Sequence, residues 1–101
     1  GIIDMSVLVL WEVTVKDQHA EDLSDFMKNE LHYTRGYSGC NGLTVHSNKD
    51  APNNIVVVQH WDSREDYESY LGWRMERGDG KKMETWFIGE PNIRYFDNKR
   101  L

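Results

Sequence analysis

Residues 6–15 alternate in character. Val7, Val9, Trp11, Val13 and Val15 fall on one side, and Leu8, Leu10, Glu12 and Thr14 on the other. That period of two is the mark of a strand. From about residue 17 to 34 the period becomes helical, with Leu23, Phe26, Met27, Leu31 and Thr34 in one stripe opposite Glu21, Asp25, Lys28 and His32. Asp17 is the expected N-cap, and Gly36 and Gly39 end the helix. Residues 40–47 read as a weaker strand and 55–61 as a third, joined across turn chemistry around Pro52 into a hairpin. Ser63-Arg64-Glu65-Asp66 reads as a capping box with Asp in the place of Glu, opening a helix with Tyr67, Tyr70, Leu71 and Arg74 on one side. Gly72, Gly78 and Gly80 predict irregular chain as far as Lys82, with a short helical turn at 83–88. Pro91 introduces a last strand, 92–97.

The order strand, helix, strand, strand, helix, strand predicts an α+β fold of the ferredoxin-like split βαβ type (βαββαβ), one domain over residues 1–101. Right-handed crossovers put the first and third strands at the centre of an antiparallel sheet, with both helices on one face. The other face should then be polar, yet Leu8 and Leu10 lie on it, as do Val56 and Val58, while Ile55, Val57 and Trp61 point the opposite way. Leaving four aliphatic side chains in water forgoes about 1.5–3 kcal/mol each. A second copy related by a two-fold axis is the simplest cover, so a homodimer built on Leu8, Leu10, Val56 and Val58 is expected.

Charge and composition narrow the function. With 12 basic and 17 acidic side chains the net charge is −5, and no Lys/Arg run offers the face that nucleic acid needs. The longest strongly apolar run, 7–11, is far short of the roughly 20 residues that span a bilayer, so no membrane partner is expected. A single cysteine, Cys40, and no signal-peptide pattern lead to the expectation of a cytoplasmic protein.

Few residues suggest reactive chemistry. His46 and His60 lie on paired strands, where two imidazoles could bind metal or shuttle protons, but no carboxylate or thiol completes a metal shell. His32 falls on the polar helix face and His19 near its first turn. Cys40 has no legible base beside it and reads as a small packed side chain. Residues 77–82 resemble a glycine-rich phosphate loop only in composition and read as a surface loop or pocket lid. Glu12 has no partner acid at a readable spacing. What remains is an aromatic set, drawn from the four Trp, five Tyr and three Phe. Trp11 points to the helix side, Tyr67 and Tyr70 point back from the second helix, and Phe26 and Met27 approach from the first. Trp73, Trp86 and Phe87 would close the open end. Oxygen chemistry without a cofactor needs an apolar cavity for an electron-rich aromatic molecule and one or two groups to hydrogen-bond its anion, which Tyr67, Tyr70 and Arg74 could supply.

Three stretches carry a family resemblance. They are Val-Leu-Trp-Glu-Val-Thr-Val-Lys at 9–16, Thr34-Arg35 leading to Ser38-Gly39-Cys40, and Val57-Val58-Gln59-His60-Trp61-Asp62-Ser63-Arg64-Glu65. The chain resembles the antibiotic biosynthesis monooxygenase family from about residue 7 to 96, with Gln59 where that family typically has glutamate. The resemblance implies a dimeric α+β barrel, with a ferredoxin-like subunit, a dimer whose sheets meet face to face, and a pocket between sheet and helices. Known activities include oxygenation of phenols or quinols without a cofactor, oxidative haem degradation, and isomerisation or binding of small molecules. The haem-degrading branch uses an Asn, a Trp and a His at positions that fall here on Trp11, Tyr70 and near Gly80, so haem degradation is not expected. The family often has a His where Tyr70 stands and a Ser-Pro-His-Phe-like stretch in place of Gly72-Trp73-Arg74-Met75.

The expected function is therefore a monooxygenase-like protein acting on a small apolar or aromatic molecule, phenol- or quinol-like, with no metal or other cofactor. Tyr67, Tyr70 and Arg74 are the expected catalytic group, and Trp11, Phe26, Met27, Trp73, Trp86 and Phe87 the expected lining. The alternative is a non-catalytic protein that binds or senses a lipid-like or aromatic metabolite in the same cavity.

Overall fold

A computed structural model describes residues 6–101. The strands are β1 (Val7–Thr14), β2 (Cys40–Ser47), β3 (Asn54–Trp61) and β4 (Asn92–Asp97), and the helices are α1 (Ala20–Arg35), α2 (Arg64–Glu76) and α3 (Asp79–Glu84). All pairings are antiparallel in the order β2-β3-β1-β4, so the two most apolar strands sit at the centre as expected. The register Leu10↔Val58 and Glu12↔Val56 puts Leu8, Leu10, Val56 and Val58 on one face. These four are half-buried, whereas Val9 and Val57 on the opposite face are buried.

Helix boundaries follow local chemistry with two departures. Ser63 caps α2, its hydroxyl accepting from Asp66 N at 3.0 Å while donating to Asp66 Oδ2 at 3.0 Å. Asp17, the expected N-cap of α1, instead opens a 3-10 turn over Asp17–His19 and accepts a hydrogen bond from Asn53 Nδ2. The carboxylate is engaged by the β2–β3 loop and is lost to the helix. The second departure is at the glycines. α2 runs through Gly72 to Glu76, because burying Tyr67, Tyr70 and Arg74 outweighs the roughly 1 kcal/mol that a helical glycine costs. The chain then turns at Gly78, whose φ of +85° suits glycine, and residues expected to be irregular form α3. The helical turn expected at 83–88 does not extend that far, since Phe87 pairs with Val15 in an isolated bridge.

The helix side of the sheet holds two apolar clusters. One contains Val7, Val9, Trp61, Tyr67 and Tyr70, the other Val13, Val15, Leu23 and Phe87. Gly39 locks the first at its base. At φ +92° its backbone lies so close to Asp66 that an added Cβ would come within 2.6 Å of the carboxyl carbon. The Ser-Gly-Cys and Trp-Asp-Ser-Arg-Glu stretches are thus two sides of one contact.

Candidate functional site

Between sheet and helices lies a cavity of about 720 Å³ whose wall includes members of both apolar clusters. Trp11, Val57, Gln59 and Ile93 form its floor on β1, β3 and β4. The stripe read from the sequence of α1, Leu23, Phe26, Met27, Leu31 and Thr34, forms one side, and Tyr67, Tyr70, Leu71 and Arg74 of α2 form another. Lys81, Glu84 and Glu90 also line it and are exposed to solvent.

Of the nine residues expected to act on or line the pocket, the structure brings Tyr67, Tyr70, Arg74, Trp11, Phe26, Met27 and Phe87 to its wall. Trp73 and Trp86 stand elsewhere. Trp73 is three residues beyond Tyr70, about 300° around the helix, and packs its ring 5.9 Å from both Tyr33 and Tyr37. Trp86 is held outside by the hydrogen bond from Lys16 N to its carbonyl and packs on His19 and Phe26. It lines a smaller neighbouring hollow of about 240 Å³ with Asp22, Asp25 and Glu30. His46 and His60 do share the outer sheet face, but their partners Val56 and Gly42 set them four residues apart along β3. His46 bonds Thr44 instead, at 2.8 Å. Among the described residues no group of three or more His, Cys, Asp or Glu converges on a metal position.

The polar part of the wall is a buried network centred on Arg74, which is 5% exposed. Its Nε donates to Tyr70 Oη at 2.8 Å, Nη1 to Glu30 Oε2 at 3.1 Å and Asp79 Oδ2 at 3.0 Å, and Nη2 to the Glu30 carbonyl at 2.8 Å and Thr34 Oγ1 at 3.1 Å. A guanidinium has five N–H donors, and here every one is engaged. The hydroxyls of Thr34 and Tyr70 close the network at 2.7 Å. Arg77 reaches Glu30 from outside at 3.1 Å, so two cations meet two carboxylates and the group is balanced. The Glu30 carboxyl is held below its ordinary range, chiefly by the hydrogen bond from Arg77. Sequence reasoning missed this network, since Glu30 and Asp79 carry no motif and meet Arg74 only when three helices pack.

Tyr67 behaves differently. Its ring is 1% exposed and packed on Trp61 and Tyr95. Burial, before any charge effect, raises its pKa far above the ordinary tyrosine value, so the phenol is protonated at neutral pH. Among the described residues its hydroxyl has no hydrogen-bond partner, while no fully buried side-chain polar atom is left unpaired, so the hydroxyl opens onto the cavity.

The antiparallel sheet order and the helices packed on it define a ferredoxin-like α+β protein. A conserved protein from Methanosarcina mazei shares the fold at 14% identity, covering 95% of each chain with a TM-score of 0.85. A candidate antibiotic biosynthesis monooxygenase from Deinococcus radiodurans does so at 16% identity, over 94% of each chain with a TM-score of 0.81. PA3566 from Pseudomonas aeruginosa matches at 17% identity over 97% of this chain and 98% of its own, TM-score 0.76. No curated protein matches the chain. Residues 6–73 match the profile of the antibiotic biosynthesis monooxygenases, and the chain belongs to that family. Among the described residues no helix is long and apolar enough to cross a membrane.

Proposed function

We propose that the cavity binds a small apolar or aromatic molecule of the phenol or quinol class and that the protein oxygenates it with dioxygen and no cofactor. The observation that carries this reading is a cavity of about 720 Å³ with a mainly apolar wall, onto which one protonated, unpartnered phenol opens, that of Tyr67. Tyr67 donates a hydrogen bond to the guest's oxygen and stabilises the anion that reacts. Thr34 and Arg74 fix the Tyr70 hydroxyl at the wall. Because its donors are all committed, Arg74 is a positioning residue rather than a substrate contact. The substrate's acidic proton passes to solvent to give the anion, and dioxygen bonds to a ring carbon that bears hydrogen. The O–O bond breaks as that hydrogen and a proton returned from solvent leave with one oxygen as water. One oxygen atom becomes the product carbonyl and the other water, and the substrate supplies all four electrons.

The test is oxygen uptake with a panel of naphthols and anthrone-type phenols. One dioxygen should disappear per substrate oxidised. Uptake should vanish in Val57→Phe, which fills the floor, and fall about tenfold or more in Tyr67→Phe. If no phenol consumes oxygen while an apolar molecule co-purifies and is lost in Val57→Phe, the binding or sensing alternative stands instead. The full engagement of Arg74 favours that alternative, because it leaves the wall with hydrogen bonds to offer but no free charge from that residue.

The functional unit in this proposal is a homodimer, with Leu8, Leu10, Val56 and Val58 covered by the same face of a second copy. Support comes from the apolar centre of the outer face, which continues to Phe96, 42% exposed and paired with Leu8. Among the described residues no helix or strand forms a second layer on that side. Light scattering should give twice the chain mass for the wild type and a shift to the single mass for Leu10→Glu. A wild-type monomer at every concentration overturns this part.

A further inference from the structure

Gln59 sits on β3 opposite Val9 and Leu43, is 4% exposed, and lines the cavity floor. Its amide offers one carbonyl acceptor and an NH₂ with two donors. The carbonyl Oε1 accepts from Trp61 Nε1 at 3.0 Å. An indole N–H can only donate, so turning the amide over would set donor against donor. Nor can Trp61 swing away, for it is fully buried among the rings of Tyr37, Tyr67 and Tyr70. The amide is therefore pinned in one sense, with Nε2 directed away from Trp61.

Among the described residues nothing accepts a hydrogen bond from Nε2. Among the described residues no fully buried side-chain polar atom lacks a partner, so Nε2 keeps some open surface, and the cavity that Gln59 lines is the space beside it, as for the Tyr67 hydroxyl. Thr34, Tyr70 and Arg74 are engaged with one another. The polar groups that remain available inside are thus the Gln59 amide N–H, which can only donate, and the Tyr67 hydroxyl, which can donate as well as accept, set among Trp11, Val57, Leu71 and Ile93.

We infer that the cavity is built around a ligand oxygen that accepts hydrogen bonds, a ketone, quinone or phenolate oxygen, and that Gln59 Nε2 is the group that selects for it. A guest without such an oxygen leaves a buried amide unpaired, and a site of this kind discriminates against it. This inference rests on the pocket reading above and names the class of oxygen it takes.

The experiment compares 1-tetralone, which carries a ketone, with tetralin, which has the same rings and none. Both are titrated into wild-type protein and Gln59→Leu while tryptophan fluorescence is followed. The tetralone affinity should fall about tenfold in the variant, the worth of one hydrogen bond, with tetralin binding unchanged or tighter. In parallel, the Gln59 side-chain amide resonances of ¹⁵N-labelled wild type should move downfield with tetralone and stay near their place with tetralin. That measurement needs no variant and decides the matter if Gln59→Leu fails to fold. Equal loss of both compounds in Gln59→Leu, or amide resonances that respond to both alike, overturns the role of Gln59 and leaves the pocket standing. Binding of neither compound to the wild type at saturation overturns both.

Discussion

Arg74 Nη1 lies 3.0 Å from Asp79 Oδ2, five residues on and across the turn at Gly78. This contact ties α3 to α2, and the same guanidinium reaches back to Glu30 on α1, so three helices share one buried cation. Removing one partner of a buried pair strands the other charge at a cost of about 3–5 kcal/mol. Arg74→Met should lower the melting temperature by about 10 °C or more. Arg77→Met should lower it much less, since that side chain is 35% exposed. Scanning calorimetry of the two variants checks the order; equal losses would show that the burial of Arg74 carries no special weight.

Two tyrosines about one helical turn apart should respond unequally to losing a hydroxyl. Tyr70→Phe takes a partner from both Arg74 Nε and Thr34 Oγ1 and should cost about 1–3 kcal/mol. Tyr67→Phe removes a hydroxyl without a partner among the described residues and should leave urea stability within about 0.5 kcal/mol of wild type. A large loss in Tyr67→Phe would mean that its hydroxyl is held by the protein after all.

Glu30 sets an acid limit. Its folded pKa lies below the ordinary 4.5, so the unfolded chain takes up the proton first as pH falls. The stability that Glu30 contributes is complete above about 4.5 and is lost as pH drops through the folded value. Melting temperatures measured from pH 7 to pH 3 should fall more steeply for wild type than for Glu30→Gln, which begins lower and stays flatter. Parallel curves would dissociate Glu30 from the acid response.

Gly39→Ala should be among the costliest single-methyl additions in the chain. The backbone there has φ +92°, and the new carbon would meet the Asp66 side chain at 2.6–2.7 Å. Backbone strain alone is worth about 1–3 kcal/mol, before the displaced cap of α2 is counted. Chemical denaturation provides the measurement, and a neutral result would show that the β2 entry can shift away from α2. Gly72→Ala, which meets nothing within 4 Å, is the control and should stabilise slightly.

Alternation along β1 and β3 specified the centre of the sheet, and the helical stripe from Leu23 to Thr34 specified one side of the cavity. Both are local periodicities, and side-chain direction follows from backbone geometry alone. Ser63 and Asp66 announced the start of α2 because a cap is a contact within four residues. The extent of α2 past Gly72 was hidden, since it depends on what Tyr70 and Arg74 bury on the far side of the helix. The Arg74 network and the pinned amide of Gln59 were hidden too. Glu30 and Arg74 are 44 residues apart, and Trp61 can fix Gln59 only where β3 is covered by α2. Periodicity records which way a residue faces. What it meets there, and whether a polar group is left facing the cavity, is settled only when distant elements close on one another.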